Sequence, residues 1–587
     1  MRTALRPRWH PGYAAAITII ALVGLGLRLW GIRSGLPWIY DVDEYDHFVP
    51  EAVGMLGGNL EPRTLHAAYL GNPPAFTYLL AGLYELWYGS RHAAERMLGA
   101  ANPTEIWLIA RVTCAALGTI SIWLLYLAGA RLFDRRTGLL AAAVMAVAFL
   151  PVFYSKLALN DVPALVGVCL SLRGSAGIAR EGRGRAYLLA GLGLGLAAAT
   201  KYTGGVVALA LIAAALSRIP ADGFWRTVRW AVPAGLLALA VFIGLNPYSV
   251  LDWHAFAQGI AQQSSESADA GKIGLGHGSG IVYYLWSLTW GVGWVPAIMA
   301  GVGAALLAWR DRVAFALLVP LAVAYLLFMG LQARYFGRWV MPVVPVVCLL
   351  AAHAALAGVD ALAQGRRASQ FALGAAALVA LCGQGVVNSV HSGIVNSRTD
   401  TRAITLAWLD AHLPRHTRIV IEPIAPAGYS TRRFSPYPVF NLTRRRRGGG
   451  LELTPRSISI EDYERTLTPA LVSFYAEQGY CWVVTGSTEE GRALVDPAEV
   501  PGAIAYYRRL AKVGTLVFRA SPYAAGAAPV SFNFDWSLDY YPASYVRPGP
   551  LVSVYRLHGG RCGARRHAAR HSRARRRGVA KTTRSGR

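Results

Sequence analysis

The chain has 587 residues, of which 54% are hydrophobic and 15% are charged. With a positive mean hydropathy, this composition excludes an ordinary soluble enzyme of the same length and predicts that lipid surrounds most of the chain. The formal net charge of +26 would indicate nucleic acid in a soluble protein, but the basic residues concentrate in short connections between apolar runs and in the tail, so we expect membrane lipids as partners and no nucleic acid.

Apolar runs that could cross a bilayer recur from residue 13 to residue 387. They predict an α-helical polytopic membrane protein with about eleven transmembrane helices. Glycines such as Gly193, Gly195, Gly204 and Gly205 would allow some of these helices to approach closely. The runs are residues 13–30, 106–130, 139–154, 162–172, 186–200, 204–216, 230–245, 284–309, 313–331, 339–356 and 371–387.

The distribution of arginines predicts the orientation of these helices, because Lys and Arg are retained on the cytoplasmic side. Arg2, Arg6 and Arg8 precede the first run, and other arginines fill alternate connections. We therefore expect a multi-pass protein of the plasma (inner) membrane with a cytoplasmic N-terminus. Residues 31–105 then form one outer loop, in which residues 75–88 are an interfacial or re-entrant helix.

After the apolar domain, residues 1–387, the sequence changes character. Residues 388–560 predict a small extracytoplasmic α/β domain, and residues 561–587, with eleven basic residues and no acid, a disordered basic tail. Arg444 to Gly450 is a solvated loop or, alternatively, an anion-binding loop. Cys481 and Cys562 could form a disulfide in an oxidising compartment. The expected helices are residues 401–412 and 462–478, and the strands are residues 418–422, 482–485 and 551–557.

Four acids, Asp41, Asp43, Glu44 and Asp46, stand within six residues of the first outer loop. One interpretation is that they cap a helix that begins near Pro50, because acids favour helix N-termini. The alternative is catalysis. Charged side chains beside a bilayer cost free energy, so a cluster of them indicates a functional role. A positioned carboxylate can take the proton of an attacking hydroxyl.

The predicted topology places other polar residues on the same side of the membrane. Lys201 and Arg334 are candidate partners of a phosphate, although snorkelling at a helix end explains each equally well. Asp161 is either a third acid of the site or a helix cap beside Pro163. His277, in a Gly-rich stretch, is either structural or part of a loop that closes over a donor. Tyr202 and Tyr335 adjoin the two cations and, together with Asp41, complete the predicted substrate-binding set.

An ordered set of motifs resembles the superfamily of protein O-mannosyltransferases and aminoarabinose (lipid A) transferases, of the GT-C class. The resemblance covers roughly residues 14–387. The motifs are VDEYDHF from Val42, GNPPAFTYLL from Gly71, ARVTCAALGTISIWLLYLAGARLFDRRTGLLAA from Ala110, LALND from Leu157, ATKYTG from Ala199 and ARYFGRWVMPVVP from Ala333.

This resemblance implies an inverting glycosyltransferase with an outward-facing active site and a polyprenyl-phosphate sugar donor. The Asp-Glu pair of the family falls on Asp43 and Glu44, and the aspartate is the base. In the mannosyltransferase pattern, a His-Phe pair stands one residue nearer to Asp-Glu than His47 and Phe48 do here. Mannose and a protein acceptor are therefore not implied, and the acceptor is a lipid, a glycan or a protein.

We predict no cofactor and no metal ligands, with one alternative. Related oligosaccharyltransferases use acids of the first and second outer loops to bind a metal. Here these would be Asp43 and Asp161, joined by Asp41, and such oxygen ligands suit Mg or Mn. A rival function, a transporter or flippase of lipid-linked sugars, should show inverted repeats and charges near the middle of the membrane. The predicted charges lie instead at one interface.

Overall fold

The protein is described by a computed structural model that covers residues 11–56, 65–67, 69–268, 272–276, 278–426, 428–431, 433–445 and 451–563. The chain divides into two compact units. The first, which we call the membrane unit, comprises Met1–Pro37, Asp41–Ala270 and Gly278–Ser397. The second, the C-terminal unit, comprises Trp38–Tyr40, Gly271–His277 and Arg398–Arg587.

The described part of the membrane unit is helical. Two 3-10 helices, Tyr202–Val207 and Gly337–Val343, interrupt the α-helices. The α-helices are α1 (Pro11–Leu29), α2 (Val42–Asp46), α3 (Phe48–Met55), α4 (Ala75–Tyr88), α5 (Arg91–Leu98), α6 (Thr104–Leu132), α7 (Arg135–Val147), α8 (Phe149–Tyr154), α9 (Ala164–Glu181), α10 (Gly184–Thr200), α11 (Ala208–Asp222), α12 (Phe224–Leu245), α13 (Tyr248–Leu251), α14 (Trp253–Ala268), α15 (Gly280–Gly291), α16 (Trp294–Arg310), α17 (Arg312–Gly330), α18 (Val344–Ala363) and α19 (Arg367–Asn396).

Among the described residues, seven helical segments are long and apolar enough to cross a membrane, and an eighth is counted if the bent pair α15 and α16 is one span. The protein is thus an integral membrane protein, but the predicted count of eleven is not confirmed. The predicted run 139–154 is divided between α7 and α8, α9 carries three charged side chains, and α10 has only 17 residues. Most residues of α7, α8 and α9 are nevertheless buried, whereas α10 also carries exposed leucines, Leu188 and Leu192.

Close approach at glycine is confirmed for two of the four predicted positions. A Cβ atom added to Gly193 of α10 would overlap the backbone nitrogen of Ser171 on α9, and one added to Gly195 would overlap the carbonyl oxygen of Ala238 on α12. Helix α10 is therefore held between α9 and α12 at backbone contact distance. Gly204, in the 3-10 helix that follows α10, approaches the backbone of Ala197 near the end of α10, and Gly205 has only ordinary contacts.

The C-terminal unit is an α/β domain, as the sequence predicts. Its main sheet has the strand order β2-β1-β5-β7-β6, in which β1 pairs in parallel with β2 and β5, while β7 is antiparallel to β5 and β6. The elements are α20 (Thr401–His412), β1 (Arg418–Ile421), α21 (Gly428–Thr431), β2 (Ser435–Pro436), β3 (Asn441–Arg445), β4 (Leu451–Ser457), a 3-10 helix (Ile460–Asp462), α22 (Tyr463–Thr466), α23 (Ala470–Gln478), β5 (Trp482–Gly486), α24 (Ser487–Val495), α25 (Pro501–Val513), β6 (Thr515–Ala520), α26 (Trp536–Asp539) and β7 (Val552–Arg556).

The predicted elements of this unit are confirmed, with two differences. Residues 462–478 form two helices, because Leu467 to Pro469 separate α22 from α23. Arg444 and Arg445, predicted in a loop, lie at the end of β3, where they pair with β4. The rest of that predicted loop, residues 446–450, lies outside the described residues, as does the predicted tail beyond residue 563.

Cys481 and Cys562 form a disulfide, which joins the residue before β5 to the segment after β7. The other four cysteines are buried and free. Helix α19 continues to Asn396, and the longest segment of the C-terminal unit begins at Arg398.

Candidate active site

The acidic loop forms a short helix, α2, with Asp41 as its N-cap. The Asp41 carboxylate accepts a hydrogen bond from the backbone nitrogen of Glu44 at 2.9 Å, which satisfies one of the unpaired donors of the first turn. The capping interpretation is therefore correct for Asp41, although for α2 and not for the helix near Pro50. Burial and the neighbouring charge of Asp43 raise the pKa of Asp41 to about 6.

Glu44 is fully buried in an ion pair with Arg111 of α6. Arg111 donates from Nε and Nη2 to the two carboxylate oxygens of Glu44, both at 2.7 Å. The backbone nitrogen of Ala158 donates to the same carboxylate at 2.9 Å, and Arg111 Nη1 donates to the carbonyl oxygens of Ile32 and Ser34. Because both oxygens are occupied and the side chain is 0% exposed, this setting favours an anchoring role for Glu44 over the predicted catalytic one.

Asp43 lies on the accessible side of the same helix and forms an ion pair with Arg338. The Asp43 side chain is 42% exposed, whereas that of Arg338 is 18% exposed. Arg338 is the second residue of the 3-10 helix Gly337–Val343. Its Nε atom is buried and has no hydrogen-bond partner among the described residues. The arginine therefore keeps a donor that a further acceptor could use.

Asp161 and Lys201 form the second ion pair of the cluster. Asp161 is buried just before α9, and Lys201 is the C-cap of α10. Asn160 donates to the carbonyl oxygen of Thr200 at 3.0 Å, which ties the two chain segments together beside the pair. Burial lowers the pKa of Lys201, and the charge of Asp161 opposes this shift.

The two ion pairs are neighbours. Arg338 interacts electrostatically with Asp43, Asp161 and Asp41, and Lys201 interacts with Asp161, Arg338 and Asp43. The structure thus brings together four residues that the sequence analysis selected, Asp41, Asp43, Asp161 and Lys201, around an arginine that it did not select. We call Asp41, Asp43, Asp161, Lys201 and Arg338 the charge cluster.

The remaining predicted site residues have other settings. The Tyr202 hydroxyl donates to the carbonyl oxygen of Leu70 at 2.9 Å, which ties the first loop to the 3-10 helix after α10. Tyr335 is buried, with its ring 4.4 Å from that of Tyr283. The backbone nitrogen of Arg334 donates to Ser267 at the end of α14. His277 lies outside the described residues.

A polar and aromatic rim adjoins Asp43. The His47 ring stacks on Tyr69 at 5.8 Å, and the Tyr69 hydroxyl donates to the side-chain oxygen of Gln263 at 2.9 Å. Burial, together with the charges of Glu266 and Asp43, raises the pKa of Tyr69 to about 12. Tyr69 therefore stays a neutral hydroxyl within electrostatic reach of Asp43. We call His47, Tyr69 and Gln263 the rim.

The acids of the charge cluster, as they stand, do not fit a divalent metal. Asp43 is paired with Arg338 and Asp161 with Lys201, so a protein cation already occupies the place of a metal beside each carboxylate. Within the described ranges, no group of three His, Cys, Asp or Glu side chains has an arrangement that could hold one. Metal binding through Asp43, Asp161 and Asp41 would require both cations to leave.

Comparison with known proteins found a family model that matches part of the sequence. Residues 105–246 match the family model of dolichyl-phosphate-mannose-protein mannosyltransferase. No curated protein matches the sequence.

The fold is similar to that of solved membrane transferases. The apo oligosaccharyltransferase of Archaeoglobus fulgidus has a TM-score of 0.50 at 12% identity, over 95% of this chain and 89% of that one. The oligosaccharyltransferase AglB of the same organism, in complex with an inhibitory peptide and a dolichol-phosphate, has a TM-score of 0.50 at 14% identity, over 90% of this chain and 75% of that one. ArnT from Cupriavidus metallidurans, bound to undecaprenyl phosphate, has a TM-score of 0.47 at 14% identity, over 93% of this chain and 98% of that one. The resemblance predicted from the sequence motifs is thus confirmed, and the chain has the fold of the GT-C class of glycosyltransferases.

Proposed function

We propose that the protein is a membrane glycosyltransferase that moves a sugar from a polyprenyl-phosphate donor to an acceptor hydroxyl, with inversion at the anomeric carbon. The observation that carries this proposal is the pairing of the accessible carboxylate of Asp43 with Arg338, beside a second cation, Lys201. A base and phosphate-binding cations within one cluster are what this reaction needs.

In the proposed reaction, the acceptor oxygen attacks the anomeric carbon from the face opposite the phosphate. The bond between that carbon and the phosphate oxygen breaks, and polyprenyl phosphate leaves with the bonding electrons. Asp43 takes the proton of the acceptor hydroxyl. Arg338 and Lys201 stabilise the charge that develops on the leaving phosphate, and the guanidinium can hold two phosphate oxygens at once.

The Asp43–Arg338 ion pair gives this reaction an order of events. While Arg338 holds Asp43, the carboxylate is a weaker base, because the cation stabilises its ionised form. A donor phosphate that accepts hydrogen bonds from Arg338 would compete with Asp43 for the same cation. We therefore propose that donor binding releases Asp43 for proton transfer. Glu44 and Arg111 hold the backbone of α2 while this exchange takes place.

The acceptor would reach Asp43 along the rim. His47 and Tyr69 present stacked rings, and Gln263 presents an amide, so the rim suits a polar acceptor with hydroxyl groups. A lipid, a glycan or a protein that carries such hydroxyl groups would serve as the acceptor.

Orientation and location are also proposed. Arginine-rich connections alternate with the loops of the charge cluster, which supports an active site on the outer face of the plasma membrane. The Cys481–Cys562 disulfide supports an oxidising compartment for the C-terminal unit. AglB was solved with dolichol-phosphate, and this supports a polyprenyl-phosphate ligand for the shared fold.

The proposal predicts the effect of Asp43→Asn on sugar transfer. Purified protein in detergent is given a panel of polyprenyl-phosphate sugars and hydroxyl acceptors, and the rate of sugar transfer is measured. We expect Asp43→Asn to lower kcat by about two orders of magnitude or more, because the amide cannot accept the proton. The matched control is Asp46→Asn, which removes an exposed acid of the same helix and should leave kcat unchanged.

Full transfer by Asp43→Asn would contradict the role of Asp43. The alternative function, a transporter or flippase of lipid-linked sugars, predicts a different result. The wild-type protein would then transfer no sugar with any donor and would instead move a labelled lipid-linked sugar across a vesicle membrane.

A further inference from the structure

Three residues of the first loop, Trp38–Tyr40, belong to the C-terminal unit, although they immediately precede Asp41 in the sequence. We infer that the C-terminal unit positions the catalytic loop by gripping this segment, with Arg402 as the positioning residue. The inference rests on the proposed function of Asp43 and assigns to the C-terminal unit a part in catalysis.

The grip on Tyr40 is a stack on a buried guanidinium. The guanidinium carbon of Arg402 lies 3.5 Å from the centre of the Tyr40 ring. Arg402 itself cannot turn freely, because Nε and Nη2 donate to the two oxygens of Asp400 at 2.9 and 2.8 Å. Nη2 also donates to the Tyr540 hydroxyl at 3.2 Å, and the Arg402 side chain is 8% exposed. A cation held in this way fixes the ring that it faces.

The other two residues of the segment are also held. Trp38 packs edge-on against Tyr429, with ring centres 5.9 Å apart, and lies against the core that the main sheet forms with α20. Ile39 is 4% exposed. Tyr429 in turn donates from its hydroxyl to the carbonyl oxygen of Arg402. Tyr40 and Trp38 therefore contact two residues of the C-terminal unit, Arg402 and Tyr429, that are hydrogen-bonded to each other.

This arrangement fixes the start of the catalytic loop. Asp41 follows Tyr40 by one peptide bond, and its carboxylate and carbonyl oxygen accept the hydrogen bonds that begin α2, from the backbone nitrogens of Glu44 and Tyr45. The backbone of α2 is thus held at its beginning by the Trp38–Tyr40 segment and in its middle by Glu44 on Arg111. A small displacement of a catalytic group can cost one to two orders of magnitude in rate, so a grip of this kind can set kcat.

The test combines hydrogen exchange with kinetics on the full-length protein. We expect Tyr40→Leu and Arg402→Met each to speed amide exchange in residues 41–46 about tenfold or more and to lower kcat about tenfold, with the KM for the donor changed less than about twofold. Tyr40→Phe, which keeps the ring, should match the wild type. Val483→Ala leaves a cavity in the core on the other side of the main sheet. It should lower the unfolding temperature without changing amide exchange in residues 41–46 or kcat.

Three results would overturn the inference. One is unchanged exchange in residues 41–46 for both Tyr40→Leu and Arg402→Met. Another is faster exchange with an unchanged kcat, and the third is an equal effect of Val483→Ala. If the wild-type protein transfers no sugar at all, the proposed function fails, while the exchange rates still decide whether the C-terminal unit holds the loop.

Discussion

At the scale of single residues, two adjacent acids of α2 have opposite environments. Glu44 is enclosed by Arg111 and by the backbone nitrogen of Ala158, whereas Asp43 is partly exposed and shares Arg338 with the rest of the charge cluster. Neighbouring residues of a helix point about 100° apart, which is enough to separate an anchoring acid from a reactive one. In the proposed function, one turn of helix thus carries both the base, Asp43, and the anchoring acid, Glu44.

The buried pair predicts a large effect of Glu44→Gln on stability. The change leaves the Arg111 guanidinium buried and without its counter-charge, which costs about 3–5 kcal/mol in comparable buried pairs. We expect a marked fall in the thermal unfolding temperature in detergent. Glu95→Gln breaks the exposed Arg91–Glu95 pair and should cost about 1 kcal/mol or less. Equal shifts for the two variants would show that Glu44 does not anchor α2.

Sequence reasoning found the acids of the site more easily than its arginines. Asp161 and Lys201 stand at the ends of apolar runs, Asp43 stands in the loop after the first run, and the predicted topology places all three on one side of the membrane. Arg334 and Arg338 stand in the same short segment, and only the 3-10 helix that begins at Gly337 decides that Arg338 pairs with Asp43. Arg111 was hidden inside an apolar run, where its partner could not be read from local sequence.

At the scale of secondary structure, the residues that end a helix were predicted more reliably from the sequence than the number of membrane-spanning helices. Helix α4 covers the predicted residues 75–88 because Pro74 precedes it and Gly89, at φ 67°, ends it. The predicted run 284–309 instead contains two helices, which meet at 117° where Gly293 has φ 130°. Hydropathy cannot detect such a break, because the residues on both sides of it are apolar.

Helix α10 provides a prediction at this scale. A methyl group at Gly193 would overlap the backbone of α9, so Gly193→Ala should force the helices apart and cost about 1–3 kcal/mol. Gly235→Ala, in α12, is the matched control, because a Cβ atom there meets no atom within 4 Å and alanine favours a helix by about 1 kcal/mol. Unfolding temperatures in detergent measure both. A Gly193→Ala protein as stable as the wild type would show that α9 and α10 are not in backbone contact.

At the scale of the whole molecule, the class of fold could be predicted from composition and from the order of the motifs. The helix α20 and the strands β1, β5 and β7 followed from periodicity and turn residues. The inclusion of Trp38–Tyr40 and of residues 272–276 in the C-terminal unit could not be predicted. The contacts that place these segments there join residues hundreds of positions apart. One example is the hydrogen bond that the backbone nitrogen of Gly274 donates to the carboxylate of Asp496 at 2.6 Å. Short segments of this kind carry no periodic pattern of their own.

The central claim is that a donor phosphate and Asp43 compete for Arg338, and affinity for polyprenyl phosphate tests it most directly. The affinity is measured by titration of the purified wild-type, Arg338→Met and Asp43→Asn proteins in detergent at constant salt. We predict that Arg338→Met binds at least about tenfold more weakly, because a charge-assisted hydrogen bond is lost. Asp43→Asn should bind more tightly than the wild type, because Arg338 is released from its ion pair. Equal affinities for all three proteins would contradict the account.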